Sequence, residues 1–195
     1  HILDERTFRL EEELAFFLGP DERFGSNVLS ACQQMLADTS TYWREWVRTV
    51  EVEVSRTTNR PDRVWVATEN GGLSVLDRDR RGFRHLRKAD HPQMGSDDVW
   101  AITSHDDALW FGTFGGGLHQ LRGGTDGGET ITRYMPRDGD PRSLPSDIVL
   151  ALGVDRQDQL WVGTTEGLAR WTGRDFERVA LPGEVAAPTI YSVTA

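Results

Sequence analysis

The chain has 195 residues, of which 37% are apolar, 27% charged and 20 are Gly, and its net charge is −9. That is enough for one ordinary domain or two small ones, and with Gly counted the apolar content suffices for a packed core. No apolar run approaches the ~18 residues of a membrane span, no charged-then-apolar leader marks a signal peptide, and the negative balance argues against nucleic acid, whose phosphates need a basic face.

One cysteine, Cys32, excludes an internal disulfide framework and a multi-Cys zinc site. It reads as a small apolar residue on a helix. The basic residues are all Arg except Lys88, a bias that gives no single Arg a functional meaning.

Glycine divides the chain. Residues 1–54 contain only Gly19 and Gly25 and carry 11 acidic against 5 basic residues. There Thr7–Leu10 alternates in polarity, Leu14–Leu18 is apolar, and Gly19-Pro20-Asp21-Glu22 signals a turn. From about Asn27 to Val50 apolar residues recur every three or four positions, which predicts helix. Asp38–Thr41 would split it, with Ser40 or Thr41 capping a second helix that carries Trp43, Trp46, Val47 and Val50 on one stripe. The polar stretch Ser55–Asp62 reads as a linker.

Beyond it the sequence repeats. Val64-Trp-Val-Ala-Thr-Glu-Asn-Gly-Gly-Leu73 aligns with Leu109-Trp-Phe-Gly-Thr-Phe-Gly-Gly-Gly-Leu118 and with Leu160-Trp-Val-Gly-Thr-Thr-Glu-Gly-Leu168. Before these units lie Val99–Ile102 and Val149–Leu152, with Ile190–Val193 further on. After each Gly turn come Leu73–Leu76, Leu118–Leu121 and Leu168–Trp171, then Phe83–Leu86, Ile131–Tyr134 and Phe176–Val179. Four short strands in a unit of about 45 residues predict a β-propeller blade. The Trp and its aliphatic neighbours would fill the space between blades. Two nearly complete blades (about 99–134 and 149–179), part of one at 64–86 and the first strand of another at 190–195 cannot close a ring. The remaining blades, or other chains, are therefore expected partners, and a fragment left alone should associate or melt at low temperature.

Chemical motifs are sparse. Gly115–Gly117 lacks a phosphate-loop pattern. Asp106-Asp107, Asp138-Gly-Asp140 and Asp155/Asp158 lack calcium-loop spacing and read as solvated turns. His1, His85, His91, His105 and His119 form no zinc-binding pair. Glu11–Glu13 reads as a solvated face rather than a glycosidase pair, and Asp97-Asp98 as a turn before a strand. Exposed rings could stack on sugars: Trp100, Phe114, Tyr134 and Tyr191 are the candidates, whereas Trp65, Trp110 and Trp161 read as interblade packing. No residue is a candidate for catalysis, cofactor binding or metal binding.

Ser143-Leu-Pro-Ser-Asp147, Asp155–Gln159 and Leu160–Arg170 resemble a two-component regulator propeller repeat, and Leu109–Leu118 is similar; Val64–Leu73 departs, with Ala67 where that family prefers Gly. The resemblance covers about residues 62–195. It implies a sensory ectodomain of hybrid histidine kinases, periplasmic and often sensing glycans. Separately, Leu3–Leu10, Leu18–Glu22 and Thr41–Arg48 resemble bacterial glycoside hydrolase family 15, the glucoamylase and trehalase-like group, where this stretch leads into the catalytic helical barrel. No catalytic position carries over, because that barrel is missing here. The two resemblances meet near Val54, as in a fusion or a composite of two frames.

The expectation is a mainly β chain: a partial β-propeller with an N-terminal helical segment, divided into residues 1–54, a linker 55–62 and blades 63–195. The expected function is non-catalytic sensing, with a possible glycan ligand, no cofactor and no nucleic acid. The alternatives are a glycoside hydrolase family 15 protein without its barrel and a protein-binding propeller.

Overall fold

The computed structural model describes residues 46–54, 61–77, 84–123, 128–181 and 187–194. Among the described residues, twelve strands form three antiparallel sheets of four. The first holds β1 (Trp46–Val54), β2 (Pro61–Glu69), β3 (Gly72–Asp77) and β4 (Arg84–Leu86). The second holds β5 (Val99–His105), β6 (Ala108–Thr113), β7 (Gly117–Arg122) and β8 (Thr130–Tyr134). The third holds β9 (Val149–Val154), β10 (Leu160–Thr164), β11 (Gly167–Trp171) and β12 (Phe176–Val179). Each sheet is a simple meander, and β1, β5 and β9 lie side by side as the inner strands of successive blades.

The helical expectation fails where it can be compared. Trp46–Val54 is a strand paired along its length with β2. Its Val50-Glu-Val-Glu-Val54 stretch alternates with period two and is rich in β-branched residues, which suits a strand. The helical spacing of Trp43, Trp46, Val47 and Val50 ran across that boundary. The first blade is thus complete, and Pro61 and Asp62 belong to β2 rather than to a linker. The rest of the predicted helical segment, residues 1–45 with Cys32, lies outside the described residues.

The Leu-Trp-x-Gly-Thr unit works through strand alternation. In β6, Leu109 and Phe111 pack toward the first blade, in one core with Trp65, Ala67, Leu73, Val75 and Val99. Trp110 packs toward the third blade, with Leu118, Val149, Leu160 and Val162. Tyr134, Trp171 and Phe176 close around Trp110, with ring centroids 5.0–5.7 Å apart. Each such ring pair adds about 1 kcal/mol beyond area burial. The Gly of the unit admits the next blade. A Cβ built on Gly112 would lie 2.4 Å from Val149 Cγ1, and one on Gly163 would lie 2.7 Å from Ile190 Cγ2. Val149 and Ile190 are equivalent in the repeat. The Thr of the unit ties its own hairpin: Thr68, Thr113 and Thr164 each donate Oγ1 to the carbonyl of Gly72, Gly117 and Gly167 at 2.8–3.1 Å.

Backbone bonds repeat across the seams as well. Gly72 N donates to Asp97 O and Gly117 N to Asp147 O, both at 2.8 Å. The outer strands are joined by Arg84, which grips Glu129 with two hydrogen bonds of 2.6 and 2.8 Å. In the last blade the Asp-rich turn is self-contained. Asp155 accepts from the amides of Gln157 and Gln159 and from Trp161 Nε1 at 2.8–3.0 Å. The Trp161 bond, first among these, holds its carboxyl below the usual carboxylate range.

Two outcomes follow from this packing. Gly112→Ala should lower stability by about 2 kcal/mol in urea denaturation, since the new methyl overpacks Val149; an unchanged midpoint would contradict the seam. Asp155 has a lowered folded pKa, so its contribution is present above the unfolded carboxylate pKa and is lost as pH falls through the folded one. Asp155→Asn should therefore flatten the acid limb of the stability curve below about pH 4, read by tryptophan fluorescence; an unaltered limb would count against the clamp.

Candidate functional site

Each inner strand begins with a register shift against its neighbour. The shifts fall between Val47 and Thr49, between Val99 and Ala101, and opposite Gly163/Thr164, where Val149 and Ala151 are the partners. The extra residues are Arg48, Trp100 and Leu150, at equivalent places in the repeat. A bulge re-aims the side chain it carries and marks the rim of a sheet. All three lie at the blade end that also holds the β2–β3, β6–β7 and β10–β11 turns.

At the second blade this end carries a pair of rings. Trp100 and Phe114 stand 5.9 Å apart at 35°. Asp98 holds both: its Oδ1 accepts from Trp100 Nε1, and its carbonyl accepts from the Phe114 amide, each at 2.9 Å. Phe114, in the β6–β7 turn, is 47% exposed. Tyr191, at the Trp100 position of the repeat that begins after the third blade, is 74% exposed. The structure thus divides the four aromatic candidates. Trp100, Phe114 and Tyr191 belong to this end, whereas Tyr134 is packed in the aromatic cluster between blades. Trp65 and Trp110 are buried as expected. Trp161 is only half-buried.

The turns beneath the rings are fastened by polar groups. Arg133 Nε donates to Gly116 O at 2.7 Å, as Arg87 Nε does to Gly71 O in the first blade. Ser96 Oγ accepts from the Asp98 amide, and Ser146 Oγ from the Ile148 amide, both at 3.2 Å. These equivalent serines show that Met94-Gly-Ser-Asp97 is the second blade's counterpart of Leu144-Pro-Ser-Asp147, with Met94 and Leu144 both buried. Without the Leu-Pro the correspondence is hard to see in the sequence.

Below this layer lies His119, fully buried and stacked on Phe111 at 4.6 Å and 10°. Burial, and then the neighbouring Arg133 charge, push its pKa down to about 4. Sequence reading scattered the five histidines; the signal for His119 was its place two residues before Leu121 on a strand with an apolar core face.

A shallow groove of about 490 Å³ lies between Pro141-Arg142 and Thr172–Arg178. Its charges are paired within the chain. Asp175 faces Thr172, Arg142 and Arg174, Glu177 pairs with Arg170, and Arg178 bonds the carbonyls of Ser143 and Leu144. Among the described residues, no group of three His, Cys, Asp or Glu could hold a metal ion, and no helix is long and apolar enough to cross a membrane.

Residues 143–166 match the family described as the two component regulator propeller. No curated protein matches the sequence. The fold is shared with solved extracellular domains from B. thetaiotaomicron. That of BT3049, described as a hybrid two component system, is 23% identical over 66% of this chain and 16% of its own, with a TM-score of 0.51. Two structures of the BT4673 domain, described in one as a one component system and in the other as a hybrid two component system, are each 17% identical. They cover 78% and 77% of this chain and 18% of their own, with TM-scores of 0.57 and 0.55. The chain spans about a sixth of the length of these structures. The likeness of residues 3–50 to glycoside hydrolase family 15 finds no support in these comparisons, and its last residues are blade strand β1.

The division of the aromatics predicts contrasting variants. Phe114→Ser should leave stability within about 0.5 kcal/mol, as for an exposed side chain. Tyr134→Ala should cost about 3 kcal/mol through the cavity it opens between blades. Equal losses in thermal unfolding would contradict the assignment.

Proposed function

We propose that this chain is part of a non-catalytic, ligand-sensing propeller in the extracellular or periplasmic domain of a two-component regulator. Its ligand is a carbohydrate that meets the end of the blades carrying Trp100, Phe114 and Tyr191. The observation that supports this most is the Trp100–Phe114 pair, in which Trp100 sits at a β-bulge and is held by Asp98 while Phe114 stays half-exposed. Rings so fixed offer flat apolar faces at little entropic cost.

The remaining wall of the propeller comes from further blades. Ile190 and Val193 rest on Gly163 and Gly153, and Ile190 N donates to Thr164 O at 2.9 Å, which begins the same seam again. Trp161 is only half-buried, where Trp65 and Trp110 are at most 1% exposed, and a further blade would cover it. The match of residues 143–166 to regulator propellers and the shared fold of sensor ectodomains favour signal reception over catalysis.

Calorimetric titration of the protein with a panel of neutral and acidic oligosaccharides tests this reading. At least one should bind, and Trp100→Ala and Phe114→Ala should each weaken it tenfold or more, about 1.4 kcal/mol. Binding that ignores both substitutions, or no binding by any glycan, would overturn the carbohydrate assignment and direct the search to a protein partner.

A further inference from the structure

Both ring nitrogens of His119 are buried without a well-aligned hydrogen bond, although backbone carbonyls lie near the ring. Such orphaned polar atoms are rare in a folded interior and costly to keep. The site is built at close quarters. His119 lies between Phe111 on β6 and Arg133 on β8, its partners across the sheet. The carbonyls of Phe111, Met94 and Gln93 lie close enough to favour a proton on the ring. Arg133 is the charged group that bears on the ring, and it opposes one. From β6 and from the turn Pro92–Met94 the ring meets Phe111 and backbone carbonyls.

Arg133 also joins the two turns above. Besides bonding Gly116 O, its guanidinium fills the space over Gly95, where a Cβ would lie 2.5 Å from Cζ. The turns themselves touch: a Cβ on Gly116 would lie 2.8 Å from Met94 O and 3.1 Å from Ser96 Cβ. Gly116 is therefore required by close approach, and Gly95 by its φ of +73°. An imidazolium beneath this layer would set a second cation beside Arg133 and turn its ring toward the carbonyls of Gln93 and Met94.

We infer that His119 makes the Trp100–Phe114 end of the blades proton-sensitive: its protonation parts the Pro92–Gly95 turn from the Phe114–Gly116 turn, and the ring pair loses its fixed geometry. The relevance to ligand capture rests on the reading of that end as the binding surface; the opening itself does not. The sign is fixed by linkage. The closed form excludes the proton and the open form binds it as an ordinary histidine, so opening grows as pH falls below about 6.5. With a closed-state pKa of about 4, the open population should rise about 20-fold between pH 7 and pH 5.

Amide hydrogen exchange on the full chain, corrected for the intrinsic pH dependence, reads this without a ligand. The amides of Gly95, Phe114 and Gly117 should lose protection about 20-fold at pH 5, while those of β10 and β11 hold theirs. His119→Gln should abolish the difference. An NMR titration of the wild-type His119 ring covers the case in which that variant misfolds, and should find it neutral down to about pH 4. Exchange that is flat with pH, uniform loss of protection over all three blades, or a ring that titrates near 6.5 in the folded chain would each overturn the inference. Calorimetry at pH 7 reports on ligand binding separately, so a failed glycan assignment and a failed proton response are distinguishable.

Discussion

The architecture depends on how closely one blade can approach the next. Inner strands converge toward the axis, and there the first residue of each strand is seated on the fourth residue of the preceding Leu-Trp-x-Gly-Thr unit. At Gly112 the fit leaves no room even for a methyl group. The neighbouring Trp works with the Gly, because alternation turns both toward the same seam: the Trp fills the wide part of the gap and the Gly clears the narrow part. The Thr at the end of the unit then ties its hairpin. Five residues thus specify a packing surface, a clearance and a turn. Repetition of these five, rather than a large central core, holds the described blades together.

The same constraint positions the candidate site. To seat Val99 and Val149 on the preceding blade, the inner strand starts with a shifted register, and the bulge that absorbs the shift carries Trp100 or Leu150. The bulge residue differs between the blades, Trp100 in the second and the buried Leu150 in the third. Trp there, with Phe114 in the adjacent turn, gives the second blade an aromatic face that the third blade lacks. Specificity in such a fold is written at the bulges and turns, while the repeat keeps the scaffold constant.

The blades were legible because their signal is local and repeated. Trp65, Trp110 and Trp161 announce the seams, and the alternation beside them sets their direction. The first strand was not legible, for a physical reason. Trp46 and Val47 fit a helical stripe as well as a strand, and what decides between them is pairing with β2, a contact between segments that the local pattern does not contain. The site was half legible. Phe114 stood out because a Gly-rich turn seldom needs a large ring, and Tyr134 looked the same until strand pairing placed it in the cluster around Trp110. His119 and Arg133 gave little sign, since their roles come from three strands and a turn that meet only in the folded blade.

The most direct test of the account is a double-mutant cycle on Gly112 and Val149, read by equilibrium denaturation. If the seam rests on their close approach, Gly112→Ala is costly in the wild-type background and clearly less so once Val149→Ala has removed the Cγ1 methyl 2.4 Å away, the remaining cost coming from Val149 Cβ at 2.8 Å and its carbonyl at 3.1 Å, with a coupling of about 1–2 kcal/mol. Penalties that simply add would show that the two residues do not meet, and the blade-on-blade packing from which the rest is derived would be wrong.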